Sequence, residues 1–153
     1  MDAVRLILTN SRALAGSDGG RRTLTEVWQA QALAQAIGSR LAVSGPPELR
    51  GEALRLTELA GRGCGVLDTP DLDPGDLLAA RLTELDDARE TLLRLGGLLG
   101  EVGIALVGVA SSAADEGTYW QCMEAIDAAD ESRDRVLEML RKLAAREGAL
   151  REG

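Results

Sequence analysis

Histidine and phenylalanine are absent from this chain, and its aromatic residues are confined to Trp28, Tyr119 and Trp120. Without histidine there is no Ser-His-Asp triad, no Cys-His nucleophile and no metal centre built on imidazole. Lysine occurs once, at Lys142, and no glycine-rich phosphate loop ending in lysine is present. Cysteine occurs only at Cys64 and Cys122, too few for a disulfide framework. With so little aromatic bulk, a core has to be assembled mainly from leucine and alanine, which bury less area per side chain.

What is present fits one soluble domain. The 153 residues are 45% hydrophobic and 27% charged, with a mean hydropathy of -0.04, the profile of a globular chain and not of a disordered one. The formal net charge is -8. Two blocks hold most of it: residues 68–90 carry eight acids against two bases, and residues 115–134 seven against one. Nucleic-acid binding needs a basic footprint, so no nucleic-acid partner is expected. Met1-Asp2-Ala3-Val4-Arg5 is not a charged segment leading into a long apolar run, so no signal peptide is expected and the location read from sequence is cytoplasmic. The most apolar stretch, Leu92 to Ala110, contains Arg94, Glu101 and five glycines. A membrane span would place Glu101 near mid-bilayer at a cost of a few kcal/mol, so this stretch reads as a buried helix and no membrane partner is expected.

Helical periodicity runs from end to end and predicts an all-α bundle of five or six helices in one domain spanning 1–153. A first helix covers about 2–15. A flexible loop is expected at about 16–22, where Gly16-Ser17-Asp18-Gly19-Gly20 breaks the pattern. Thr23 and Glu26 have the spacing of a capping box for a second helix, followed by Val27, Ala30, Ala34, Ile37 and Leu41. Pro47 and Glu48 suit the first turn of a third helix, striped by Leu49, Ala53, Leu56 and Ala60 and stopped by Gly61 to Gly65. Asp73-Pro74-Gly75-Asp76 reads as the start of a long fourth helix reaching 113. A last helix is expected from Thr118, capped with Gln121, to about Glu147, with a short frayed end over 148–153. The two long helices are expected to form an antiparallel C-terminal hairpin.

Three stretches, Trp28 to Gly38, Ser44 to Ala53 and the Leu/Gly run from Leu92 to Val109, together resemble a family of small, uncharacterised helical proteins from high-GC actinobacteria. The resemblance covers most of the chain. It implies a bacterial cytoplasmic protein, with no activity and no catalytic residue attached.

One constellation has the residue types for chemistry. Glu124, Asp127, Asp130, Glu131 and Asp134 recur at helical spacings of three and four, and a hairpin turning near 111–117 would set Glu101 opposite Asp127 or Asp130. Such carboxylates suit Mg²⁺ or Mn²⁺. Glu124-x-x-Asp127 and Glu131-x-x-Asp134 resemble half of the metal site of all-α nucleotide pyrophosphatases. The other half would be Glu84-x-x-Asp87, which that register misplaces. Asp86, Asp87 and Glu90 form a second acidic cluster, better placed for a salt bridge with Arg141. The competing reading is a solvated acidic face partly neutralised by Arg133 and Arg135.

The remaining features read as structural. Trp28 and Trp120 are expected to plug the core where helices meet, with a ligand pocket near Trp120 and Tyr119 as the alternative. Gln29, Gln31 and Gln35 are expected at the surface. Cys64 is expected in an exposed loop as an incidental thiol, and Cys122 in or near the core. Gly96, Gly97, Gly100, Gly103 and Gly108 each cost a helix about 1 kcal/mol relative to alanine, which suggests close packing against another helix.

The function expected from sequence is therefore a non-enzymatic bundle acting by protein–protein contact, with no cofactor and with a second copy as its partner. The long hairpin, and Val136 to Leu150 above all, is the expected dimer surface. The alternative is a carboxylate enzyme using Mg²⁺ or Mn²⁺ on a phosphorylated small molecule, with Glu101, Glu124, Asp127, Asp130, Glu131 and Asp134 as ligands.

Overall fold

A computed structural model describes residues 1–85 and 87–152. The described chain is all-α: α1 (Ala3–Ala15), α2 (Gly20–Ser44), α3 (Arg50–Gly65), α4 (Ala88–Ser111) and α5 (Glu116–Glu152), with short 3₁₀ turns at Pro47–Leu49, Pro74–Asp76 and Leu78–Arg81.

Four of the helices share one sequence rule. Buried residues recur at alternating steps of three and four: Thr23, Val27, Ala30, Ala34, Ile37 and Leu41 in α2; Ala53, Leu56, Ala60 and Gly63 in α3; Leu92, Leu95, Leu99, Val102, Leu106 and Val109 in α4. In α5 the series is Cys122, Ala125, Ala129, Ser132, Val136, Met139 and Leu143. That step averages 3.5 residues, the spacing of a coiled-coil seam. Helices α2, α3, α5 and α4 close into a ring, each packed on the next, and α1 lies across α2 and α4. The seams meet in a single leucine- and alanine-rich core.

Neighbours in the ring run in opposite directions. Gly38 of α2 lies against Ala53 and Thr57, and Gln31 against Gly63. Arg62 of α3 pairs with Glu131 of α5, and Glu48, just before α3, with Arg146. Gly96, Gly100 and Gly103 of α4 lie against Val136, Arg133 and Asp130. Opposed directions all round require the chain to cross back between α3 and α4, and the described residues 66–85 carry that crossing.

The crossing replaces the first third of the expected fourth helix. Backbone groups that a helix would use internally are taken by tertiary contacts. Gln29 donates Nε2 to the Asp76 carbonyl at 2.8 Å and accepts from the Leu78 amide at 3.0 Å. The Thr83 amide donates to the Met1 carbonyl, and the Ala3 amide to the Glu84 carbonyl. Arg40 donates to the carbonyls of Thr83 and Leu82. Leu78 and Leu82, four residues apart as on one side of a helix, are still buried, but as anchors of a strap. Helix α4 starts where Asp87 accepts the Glu90 amide at 3.2 Å. Asp86 lies outside the described residues.

Other helix starts also differ from expectation. Helix α2 begins at Gly20, because Gly19 (φ 89°) and Gly20 (φ 58°) hold left-handed angles that turn the chain out of α1. Thr23 is therefore inside the helix and buried. Its hydroxyl accepts the Gly19 amide and bonds Ser17, while the Glu26 backbone carbonyl and carboxylate accept from Asn10. Helix α5 starts at Glu116, because Asp115 takes both the amide and the hydroxyl of Thr118, at 2.7 and 3.0 Å. These bonds hold the Asp115 carboxyl below its usual range. Helix α5 continues to Glu152, past the expected end near 147.

Candidate functional site

The six carboxylates singled out as metal ligands do not converge. Glu101 lies on the outer side of α4 and its carboxylate accepts the Ser11 hydroxyl at 2.7 and 3.0 Å, so it addresses α1 and not α5. The register through Gly100–Arg133 and Gly103–Asp130 brings Glu101 level with Ser132, more than a turn from Asp127. On α5, Glu131 turns to α3 and pairs with Arg62 at 2.7 Å, while Asp130 lies on the α4 side beside Gly103. Glu124, Asp127 and Asp134 are exposed. Among the described residues no three side chains of His, Cys, Asp or Glu gather as a metal site would need. The second acidic cluster is divided too. Asp87 caps α4, Glu90 pairs with Arg94 at 2.9 Å, and Arg141 pairs with Glu138. Arg135 serves α3 by pairing with Glu52 at 2.7 Å.

The aromatic residues part company. Trp28 is half-buried against the core. Trp120, expected to plug it, is 59% exposed and meets Tyr119 edge-on at 5.2 Å. The cause is a change of stripe: the buried side of α5 begins at Cys122 and Ala125, which turns residue 120 outward. A cleft of about 1080 Å³ opens at this end of the bundle, between Leu14, Thr23, Leu67, Asp68, Val109 and Gln121. Neither Trp120 nor Tyr119 lines it.

The conspicuous surface is on α4. Its core-facing seam is complete, yet its outward side carries Leu93, Ile104 and Val107 at 49%, 77% and 52% exposure. Gly97 and Gly108 lie among them with open space where a Cβ would stand. The helix is long and apolar enough to cross a membrane by length and composition, and 44% of its most apolar window is buried within the bundle. The apolar character beyond what the core uses therefore faces outward. A model of a family of unknown function, DUF6099, matches residues 1–142.

The chain belongs to the DUF6099 family.

No curated protein and no solved structure matches it. The DUF6099 region takes in all of α1 to α4 and the seam of α5 through Met139, so the outward face of α4 lies wholly inside it. The expectation that the α4 glycines serve close packing holds only loosely. A Cβ at Gly96, Gly100 or Gly103 would meet its nearest neighbour at 3.5, 3.7 and 3.9 Å, ordinary contact. The tight approach is between α2 and α3, at Gly38, Gly61 and Gly63, where a Cβ would come within 2.7 to 2.8 Å of side-chain atoms. Two of the three glutamines are accordingly interior. Gln29 anchors the strap and Gln31 lies fully buried against Gly63. Three glutamines within seven residues look like a surface by composition, and only their phase against the seam of Ala30 and Ala34 hinted otherwise.

Cys64 is on α3 and not in a loop. Its thiol donates to the Trp28 carbonyl at 3.7 Å, and burial pushes its pKa up to about 11. The thiolate is the reactive form. Cys64 is therefore expected to react with a disulfide reagent at pH 8 at least tenfold more slowly than free glutathione, reaching the free rate in denaturant. A fast native reaction measured by thiol titration would contradict this placement.

Proposed function

We propose that this protein is a non-enzymatic cytoplasmic module that works by protein–protein contact through the outward face of α4. The observation that carries the reading is Leu93, Ile104 and Val107 standing exposed on a helix whose other side is fully used by the core. Three large apolar side chains left exposed on one side of a single helix support a contact role for that side. The divided carboxylates offer no competing centre. The net charge of -8 disfavours nucleic acid as the partner. Two free cysteines suit a reducing compartment.

Ile104 touches solvent and not the core, so Ile104→Asp leaves the bundle intact and alters only the face. Affinity capture from the native cell, wild type beside Ile104→Asp, tests the proposal. The expected result is at least one protein, the chain itself or another, retained by wild type and lost from the variant. Identical captures would overturn it.

A further inference from the structure

The stripe expected to pair two copies, from Val136 onward, is spent on the core: Val136, Met139 and Leu143 are buried within their own bundle. Helix α2 carries a stripe of another kind. Gln29, Leu33, Ala36 and Arg40 follow at steps of four, three and four, half a turn round the helix from Gly38 and Gln31, which face α3. The strap, residues 68–85, is anchored along this stripe. At one end Gln29 bonds the strap backbone at Asp76 and Leu78. About three turns away, Arg40 bonds it at Leu82 and Thr83. Leu33, fully buried, and Ala36 lie between the two anchors.

The strap is held lightly for its length. Of residues 68–85 only Leu78 and Leu82 are buried. Its short turns bond within themselves, and among the described residues two of its amides donate beyond it: Leu78 to Gln29 and Thr83 to the Met1 carbonyl. Asp68, Asp71, Asp73 and Asp76 pair with no base among the described residues. Ordering each backbone residue costs conformational entropy, which the helices recover through complete apolar seams and the strap recovers through two leucines and a few end contacts. A segment with so few buried apolar groups and so much exposed backbone belongs to the low end of local stability.

We infer that the strap is a releasable cover: it lifts from α2 as one unit while α1 to α5 stay folded, and so gives the stripe from Gln29 to Arg40 to solvent. Its two buried leucines flank a single 3₁₀ turn, Leu78–Arg81, so neither leaves its seat without moving the other. The Gln29 and Arg40 anchors therefore release together. Leu67, buried just after α3, and the Asp87 cap of α4 bound the segment that moves. Closed, the Gln29 amide and the Arg40 guanidinium are both engaged with main chain. Open, they stand free on either side of Leu33 and Ala36, the groups with which the stripe holds a leucine-bearing backbone. The device is independent of the contact reading for α4.

Residue-resolved amide hydrogen exchange of the purified full chain, followed by NMR in urea from zero to ~1 M, tests the cover. The Leu78 and Thr83 amides should be at least about a hundredfold less protected than those of Ile37 and Leu99, which lie in the middle of α2 and α4. Their two protection factors should agree within about threefold and hardly change with urea, because opening exposes little surface. Gln29→Met removes both bonds at one end of the strap and should lower protection at Thr83, at the other end, about tenfold. Arg40→Met alters an exposed residue, keeps the bundle folded, and should lower protection at Leu78 at least about threefold. Protection at Leu78 and Thr83 equal to that at Ile37 would overturn the inference, because the strap would then open only with the whole bundle. An effect of Gln29→Met confined to Leu78, or of Arg40→Met confined to Thr83, would overturn it too, because the two ends would then open separately.

Discussion

Gly38→Val is expected to lower the melting temperature by on the order of 10 °C, a loss of about 2–4 kcal/mol in a domain of this size. A Cβ at Gly38 would stand 2.7 Å from the Thr57 hydroxyl, 3.0 Å from the Ala53 carbonyl oxygen and 3.2 Å from the Thr57 amide nitrogen. Two of those three atoms are backbone of α3 and cannot rotate aside. The Thr57 hydroxyl is itself committed to the Ala53 carbonyl at 2.9 Å. Valine is therefore accommodated only by moving α2 away from α3, which loosens the seam of Ile37, Leu41, Ala53 and Leu56. The opposing gain in helix propensity is only a few tenths of a kcal/mol, because valine is β-branched. Gly97→Ala is the control: the same loss of glycine in a helix interior, with nothing to strike, should raise stability by up to ~1 kcal/mol. Thermal unfolding followed by circular dichroism at low micromolar concentration compares the two. A neutral Gly38→Val would mean that α2 and α3 do not approach as described.

Gln31→Met should raise stability by about 1–2 kcal/mol, and the melting temperature by roughly 2–8 °C. Gln31 is fully buried, and neither its Nε2 nor its Oε1 has a hydrogen-bond partner within the chain. A buried unpaired amide costs about 1–3 kcal/mol. Methionine keeps the length and flexibility of the side chain where it lies against Gly63 and removes the desolvated dipole. The unpaired hydroxyl of Ser132, also fully buried, makes Ser132→Ala a smaller test of the same argument. A lower melting temperature for Gln31→Met would show that the amide is satisfied by something outside the chain. A higher one with broadened unfolding would assign Gln31 a role in fixing helix register, the best-attested use of a polar group in a coiled-coil seam.

Much of the helical content is legible in residue order, because a helix buries one stripe and the stripe repeats every three or four residues. The α2 series from Val27 to Leu41, and the series from Leu49 in the turn before α3 to Ala60 within it, are buried throughout, as their periodicity implies. So is the α4 series from Leu92 to Val109. In α5 the same reasoning selects the bulkier neighbours. Met123, Ile126 and Leu140 are only partly buried, while Cys122, Ala125, Ala129 and Ser132 fill the seam. Hydrophobicity ranks methionine and isoleucine above alanine. Close helix approach reverses that order, because where backbones nearly touch only small side chains fit.

Sequence by itself determined the all-α class, the burial of the main leucine stripes, and the lack of any chemistry that needs histidine. These follow from composition and from period, both of which are local. Tertiary structure alone decided the rest. Residues 73–85 have the cap and leucine spacing of a helix start but become a strap, because Met1, Ala3, Gln29 and Arg40 supply their hydrogen bonds from elsewhere in the chain. Glu101 and the α5 carboxylates have metal-site spacing but separate, because helix packing rotates each toward a different neighbour: Ser11, Arg62 or solvent. Spacing along one helix says which residues share a side. Which side faces which helix depends on how several seams close at once, and that constraint is carried by small residues such as Gly38, Gly63 and Ala129, whose importance shows only when two backbones are brought together.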